Sequence, residues 1–178
     1  MSHFPSCLSA IAAAAAVSLA CASASADTPP TLLGSFKDWS AFQASASGGR
    51  TCYALSQPRS SEPKKAKRDP IYFLISDWPS RRVKAEPEAV PGYEYKPDSV
   101  VTAKVGSESF DFFVKNEDGA GSAWVKEASD EPRLVDAMRR GSEMVVTGVS
   151  KRGTTTIDTY SLNGLSSALD KIHAACGM

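Results

Sequence analysis

Short runs with strand character, separated by turn residues, recur along this 178-residue chain and constrain its fold more than any other feature. Val100 to Val105 and Ser109 to Lys115 alternate between apolar and polar residues, and Gly106-Ser107-Glu108 joins them. Such alternation is typical of strands that bury one face, and a short glycine-containing link predicts a hairpin. The whole pattern, about eight or nine strands, predicts a mostly β protein, with a two-layer β-sandwich favoured over a closed barrel.

Two further hairpins and one central strand follow from the same reasoning. Ile71-Tyr72-Phe73-Leu74-Ile75 is a continuous apolar run, which predicts a buried central strand. A hairpin is predicted from Trp39 to Cys52, and another joins 144–149 to 154–161 through Ser150-Lys151-Arg152-Gly153. A phosphate-binding loop would need a helix after its glycine turn, whereas threonines and strand alternation follow here. We therefore predict a hairpin corner at 150–153 rather than a phosphate site.

Two helices complete the pattern. The first is predicted from Glu131 to Arg140, with Pro132 in its first turn and Gly141 ending it. The second is the C-terminal helix, for which Asn163 or Ser161 is the expected cap. Its apolar residues recur with helical spacing and are Leu165, Ala168, Leu169, Ile172 and Cys176. The predicted architecture is a β-sandwich with a short helix and a C-terminal helix.

The N-terminal region has the pattern of a secretory signal peptide. Ile11 to Ala20 is a ten-residue apolar run, too short to span a bilayer, and Ala24-Ser25-Ala26 resembles a cleavage site. Residues 2–10 contain no lysine or arginine, which is unusual for such a leader. A lipoprotein cysteine at Cys21 is the alternative, but Ser18 stands where that motif has leucine. We expect a signal peptide at 1–26 and one mature domain at 27–178, in the periplasm, at the cell surface or secreted.

Removal of this leader would leave two cysteines, Cys52 and Cys176. Two cysteines in an exported protein most simply form one disulfide, and the alternative is two free thiols. Cys176 lies on the apolar face of the C-terminal helix, so the bond forms if that helix packs across the 39–52 hairpin. The predicted disulfide would then attach the last element to one of the first.

Charge is balanced overall but unevenly distributed. The 20 basic and 20 acidic residues all follow position 26, so the mature chain has no net field that would attract nucleic acid. The segment from Arg59 to Lys84, however, contains eight basic and three acidic residues. It predicts contact with an acidic partner or a lipid headgroup, and the alternative is a solvated loop or a protected sheet edge. The candidate binding residues are Lys64, Lys65, Lys67, Arg68, Trp78, Arg81 and Arg82.

The sequence offers little that is typical of an enzyme. His173 is the one histidine after the leader, and neither a G-x-S-x-G nor a C-x-x-C motif occurs. One histidine and two cysteines do not make a zinc site. We therefore predict no catalytic residue, metal or cofactor, and no transmembrane segment after the leader. The expected function is binding to an unknown protein or envelope component; a chaperone that uses an open sheet edge, or an unrecognised enzyme, are the alternatives.

Ordered landmarks across the mature chain resemble the invasion-associated locus B family of exported bacterial proteins. They are Trp39 with Cys52-Tyr53-Ala54-Leu55-Ser56; Pro91-Gly92-Tyr93 with Pro97-Asp98-Ser99; Ala123-Trp124; 134–141 (LVDAMRRG); 150–154 (SKRGT) with 158–162 (DTYSL); and Ala174-Ala175-Cys176. The resemblance implies an exported single-domain protein of the Gram-negative envelope with an immunoglobulin-like sandwich. The family is named for members that help bacteria enter host cells, and it supplies no catalytic residues. The basic stretch 64–68 (KKAKR) departs from the family pattern.

Overall fold

The computed structural model describes residues 28–46 and 49–178. The predicted leader, residues 1–26, therefore lies outside the described residues. The strands are β1 Thr28–Phe36, β2 Trp39–Ala46, β3 Gly49–Ser56, β4 Ser60–Glu62, β5 Tyr72–Trp78, β6 Val83–Val90, β7 Val100–Val105, β8 Glu108–Glu117, β9 Ala120–Val125, β10 Glu143–Val149 and β11 Thr155–Ser161. The helices are α1 Asp130–Arg140 and α2 Leu165–Cys176, and a single 3₁₀ turn covers Pro79–Arg81.

All eleven strands belong to one antiparallel sheet, in the order β1-β2-β3-β5-β6-β9-β8-β7-β10-β11-β4. The sheet curls around its core. The Phe73 ring on β5 lies 6.3 Å from that of Phe112 on β8 and 5.8 Å from that of Tyr160 on β11, although neither strand neighbours β5. Trp39 Nε1 on β2 donates to the Ser161 carbonyl at 2.9 Å. The predicted mostly β class with two helices is confirmed, and the curl is compatible with a two-layer sandwich.

The predicted corner between β10 and β11 is confirmed. Ser150 and Thr154 close it, because the Ser150 N–H donates to the Thr154 carbonyl at 2.8 Å and the Thr154 N–H donates to Ser150 Oγ at 3.1 Å. Gly153 has a φ of 85°, a left-handed conformation that favours glycine. The strand continues directly into Thr155, so no helix follows that would hold an anion.

The start of α2 differs from the prediction that Ser161 or Asn163 would cap it. The residue preceding the helix is Gly164, with a φ of 94° and no side-chain cap. A Cβ at Gly164 would lie 1.8 Å from the Phe36 carbonyl oxygen, so only glycine lets β1 pass this close. Ser161 Oγ instead accepts the N–H of Asn163 at 3.2 Å.

Two links attach α2 to the sheet at the same place. Cys176 and Cys52 form the predicted disulfide, and both residues are buried. One turn earlier on the helix, His173 Nδ1 lies 2.7 Å from Asp77 Oδ2. Asp77 is directly opposite Cys52 in the β3–β5 ladder, and its other oxygen accepts the Ala85 N–H at 2.9 Å. The C-terminal helix is thus held to β3 by a covalent bond and to β5 by a polar contact.

Candidate functional site: a basic cleft

A cleft of about 770 Å³ opens where three segments meet, and Gly119 in the turn between β8 and β9 also lines it. One wall is the loop 63–69, the opposite wall is the corner 150–154 with the start of β11, and the turn 92–94 lies between them. The loop reaches this position because β4, which precedes it, pairs with β11, so that Asp158 stands opposite Ser61. Two segments almost ninety residues apart in the chain therefore face each other.

Backbone contacts fix the end of the basic loop against the turn after β6. The Asp69 N–H donates to the Gly92 carbonyl at 2.9 Å. Gly92 has a φ of 72°, and a Cβ there would lie 2.2 Å from the Asp69 carbonyl oxygen. Arg68 Nε donates to the Pro91 carbonyl at 2.7 Å. A side chain at position 92 would therefore push the loop away from the cleft.

The side chain of Arg68 is buried rather than exposed, which changes the role expected for it. Its guanidinium forms two bonds to the Asp158 carboxylate at 2.7 and 2.6 Å, with side-chain exposures of 6% and 5%. It also lies 5.0 Å from the centre of the Tyr93 ring. Burial alone would lower the pKa of Arg68, but the hydrogen bonds and charge of Asp158 outweigh it and raise that pKa. Arg68 has a structural role in the lining of the cleft, because its charge is already neutralised.

The turn between the walls is tied to the corner in the same way. The Lys151 N–H donates to the Glu94 carbonyl at 2.8 Å, and Lys151 Nζ lies 3.0 Å from Glu94 Oε2. Tyr93 Oη and Thr156 Oγ1 are 2.6 Å apart. Burial raises the pKa of Tyr93, although the Thr156 hydrogen bond opposes this, so Tyr93 is a neutral phenol at physiological pH. Together with the contacts between the basic loop and Gly92, these contacts fix the position of the corner relative to the loop.

The cleft retains unpaired positive charge. Five basic and two acidic residues line it. Arg68 is neutralised by Asp158 and Lys151 by Glu94. Among the described residues, no ion pair involves Lys65, Lys67 or Arg152, and all three are exposed. Three free cations and Asp69 therefore line a concave surface, which suits an acidic ligand.

The other predicted binding residues fall into two groups. Lys64 is exposed on the basic loop, where its N–H donates to Glu62 Oε2 at 3.1 Å. Trp78, Arg81 and Arg82 lie at the opposite end of β5, and seven strand residues separate the two ends by about 20 Å. The predicted basic segment is thus two separate surfaces.

Trp78 is half-buried and already has partners. Its Nε1 donates to Glu86 Oε2 at 2.9 Å, and the Arg81 guanidinium lies 4.3 Å from its ring centre. Arg82 is exposed. Because Trp78 and Arg81 contact each other, they offer less free surface than their sequence suggests.

The sequence pattern missed the contribution of Lys151, Arg152 and Glu94 to the site. The corner contains two basic residues, but only the β4–β11 pairing places them beside the basic loop. The inward position of Asp158 could have been predicted, because the alternation of β11 places it on the same face as Thr156 and Tyr160. A charge at an inward position needs a buried partner.

Other site chemistry is sparse in the described part of the chain. His173 lies with Asp77 at the end of β5 that is remote from the cleft. Residues 28–46 and 49–178 contain no cluster of three or more potential metal ligands among histidine, cysteine, aspartate and glutamate. Neither helix described above has the length and apolar character that a bilayer crossing requires.

The fold and the cleft together define a class: a disulfide-linked antiparallel β protein with a C-terminal helix and a charged surface cleft. The family model described as invasion associated locus B (IalB) protein matches residues 39–173. The chain therefore belongs to the invasion associated locus B family, as the resemblance of its sequence landmarks indicated.

A solved structure has the same overall fold. It is the crystal structure of invasion associated protein b from Bartonella henselae, with a TM-score of 0.56 and 12% sequence identity. The match covers 82% of this chain and 98% of that one. No curated protein matches the sequence. At this identity the likeness establishes the fold and not a shared partner.

Proposed function

We propose that this chain is an exported, non-enzymatic protein that binds an acidic protein or other acidic envelope component through the basic cleft. The observation that carries the proposal is the convergence of Lys65, Lys67 and Arg152 on one concave surface, where none of them forms an ion pair with another described residue. Exposed cations of this kind accelerate association and select partners of opposite charge. Family membership and the buried disulfide support export into an oxidising compartment.

The residues that line the cleft favour binding over catalysis. They include no histidine or cysteine within the described chain, and Tyr93 is engaged by Thr156. General acid–base chemistry needs a group that titrates near the working pH and is free to reach a substrate. The lining instead presents fixed positive charges, which suit attraction and orientation.

The open-edge chaperone alternative receives less support. The strand β1 forms one edge of the sheet, but its pairing with β2 has two register shifts, and Pro29 and Pro30 lie within it. The opposite edge, β4, has three residues. Irregular, proline-containing and very short edges are those that proteins use to prevent strand addition.

A charge-reversal experiment with a matched control tests the proposal. The cleft variant is Lys65→Glu, Lys67→Glu and Arg152→Glu; the control is Lys84→Glu, Lys126→Glu and Lys171→Glu, which changes the net charge equally at exposed positions outside the cleft. Binding of purified protein to envelope fractions is measured at low and physiological salt, with thermal unfolding to verify folding.

The cleft variant is expected to lose at least about tenfold in affinity, equivalent to about 1.4 kcal/mol. The control should bind within about twofold of the unchanged protein. Equal losses of affinity in both variants would show that the effect comes from net charge alone. An unchanged affinity of the cleft variant would exclude the cleft as the binding site.

A further inference from the structure

An apolar row crosses the outward face of the sheet, opposite the core. Its members are direct cross-strand neighbours on six adjacent strands. In order from β3 to β7, the row consists of Leu55, Leu74, Glu88, Trp124, Phe113 and Val100. Residues next to them in sequence, such as Phe73, Ala89 and Phe112, point into the core. Because strand side chains alternate, the row faces outward.

At the β7 and β8 end of the row, large apolar side chains are exposed to solvent. Val100 is 48% exposed and Phe113 is 47% exposed. The Phe113 and Trp124 rings lie 5.9 Å apart, and Trp124, Leu74 and Leu55 are half-buried. Single exposed apolar residues are common, but a contiguous apolar strip on a sheet face is typical of a binding surface.

Glu88 interrupts the row between Leu74 and Trp124. Burial by its neighbours raises the pKa of Glu88, a hydrogen bond with Ser122 opposes the shift, and Glu86 adds to it. Among the described residues, no lysine, arginine or histidine forms an ion pair with Glu88. The row therefore contains a half-buried acid without a partner of opposite charge.

We propose that the apolar row binds an extended, apolar segment of another protein that places one lysine or arginine opposite Glu88. A wholly apolar partner would bury the carboxylate without compensation, which is unfavourable. A second copy of this chain in a two-fold contact centred on the row would oppose two Glu88 carboxylates. A basic side chain pairs with Glu88 and also lies over the Trp124 ring, where a cation is attracted by the aromatic face.

Short synthetic peptides test this surface directly. Each peptide alternates leucine with serine, so that an extended chain presents leucines on one face, and its central position carries lysine, norleucine or glutamate. Dissociation constants are measured by fluorescence anisotropy of labelled peptides. The protein is used unchanged and as Glu88→Gln, Phe113→Ser and two control variants. The controls are Glu143→Gln, an exposed strand glutamate outside the row, and Leu32→Ser, an exposed apolar strand residue outside the row.

The lysine peptide should bind at least about tenfold more tightly than the norleucine peptide, and the glutamate peptide should bind most weakly. Glu88→Gln should remove the preference for lysine, Phe113→Ser should weaken all three peptides, and the two controls should change neither. Equal binding of lysine and norleucine peptides, a preference that survives Glu88→Gln, or no binding by any peptide would overturn the proposal. Self-association in sedimentation that is lost in Phe113→Ser would assign the row to a second copy instead. The cleft charge-reversal variant should bind these peptides normally, because the two surfaces are independent.

Discussion

At the scale of single residues, the ion pair between Arg68 and Asp158 attaches the basic loop to β11. Arg68 follows Lys64, Lys65 and Lys67, so it belongs to the basic stretch by composition. Its partner, Asp158, lies 90 positions away, and no local pattern joins them. The strand alternation around Asp158 predicts an inward side chain, but it does not say which cation reaches it. The burial of the Arg68 side chain therefore could not be predicted from the sequence.

The Arg68–Asp158 pair leads to a stability prediction. Asp158→Ala leaves the buried guanidinium without compensation and should lower the free energy of unfolding by about 3–5 kcal/mol. The double variant Arg68→Met with Asp158→Leu should be much closer to the unchanged protein, since the apolar pair removes both charges. Urea unfolding with the disulfide intact measures both, with Glu143→Ala as an exposed control. If Asp158→Ala were as stable as the control Glu143→Ala, the ion pair would not be needed for stability.

Glu88 gives a pH-dependent prediction. Because the pKa of Glu88 is raised in the folded protein, its ionised form is less favourable there than in the unfolded chain. Stability should therefore fall as pH rises through the interval between the unfolded and folded pKa values, and the loss is complete above the folded value. Glu88→Gln should be more stable than the unchanged protein at neutral pH, and this advantage should disappear in acid below the ordinary glutamate pKa. Thermal unfolding across pH tests it; an advantage of the same size at every pH would contradict it.

At the scale of elements, the sequence predicted what local patterns determine. The β7–β8 and β10–β11 hairpins, the central strand β5 and both helices were predicted because alternation, turn residues and helical spacing act over a few positions. The start of α2 was not, because Gly164 is required by the approach of the Phe36 carbonyl from another element. The cleft was also beyond local reasoning, since it depends on the pairing of β4 with β11.

A comparison of two glycines distinguishes the cost of an unfavourable backbone conformation from the cost of a steric clash. Gly164→Ala should destabilise the protein by more than about 2 kcal/mol, because it adds a steric clash with Phe36 to an unfavourable left-handed φ. Gly153→Ala has a similar φ of 85° and nothing within 4 Å of the added Cβ, so it should cost about 1 kcal/mol. Equilibrium unfolding of the two variants makes the comparison. Equal losses would show that the contact between β1 and the start of α2 is not constraining.

The disulfide is the strongest constraint on α2. Replacing Cys52 and Cys176 with alanine should reduce stability by about 4–5 kcal/mol in the chain-entropy model, since the bond spans a sequence separation of 124. The His173–Asp77 contact remains in that variant, so α2 should retain helical content in far-ultraviolet circular dichroism. Reduced unchanged protein provides the control and should behave like the double variant. A double variant that unfolds at the same urea concentration as the oxidised protein would contradict the assigned role.

At the scale of the whole molecule, balanced charge is compatible with a charged site because opposite charges are separated in space. The chain has 20 basic and 20 acidic residues, yet three cations that form no ion pair within the described part of the chain gather at one end of β5. The other end of β5 carries the Trp78–Arg81 surface and the His173–Asp77 contact. The attachment of α2 and the proposed binding cleft therefore lie at different ends of the same strand, so substitutions in one should leave the other intact.

Site-specific photo-crosslinking in cells tests the central claim, that the cleft is the partner-binding surface, most directly. A photoreactive amino acid replaces Ala66, an exposed cleft residue without charge, or Lys84 as a remote exposed control. Position 66 should give a discrete cross-linked product that disappears when Lys65, Lys67 and Arg152 are reversed to glutamate, and position 84 should give none. A product from position 84 alone, or one from position 66 that persists after charge reversal, would contradict the account.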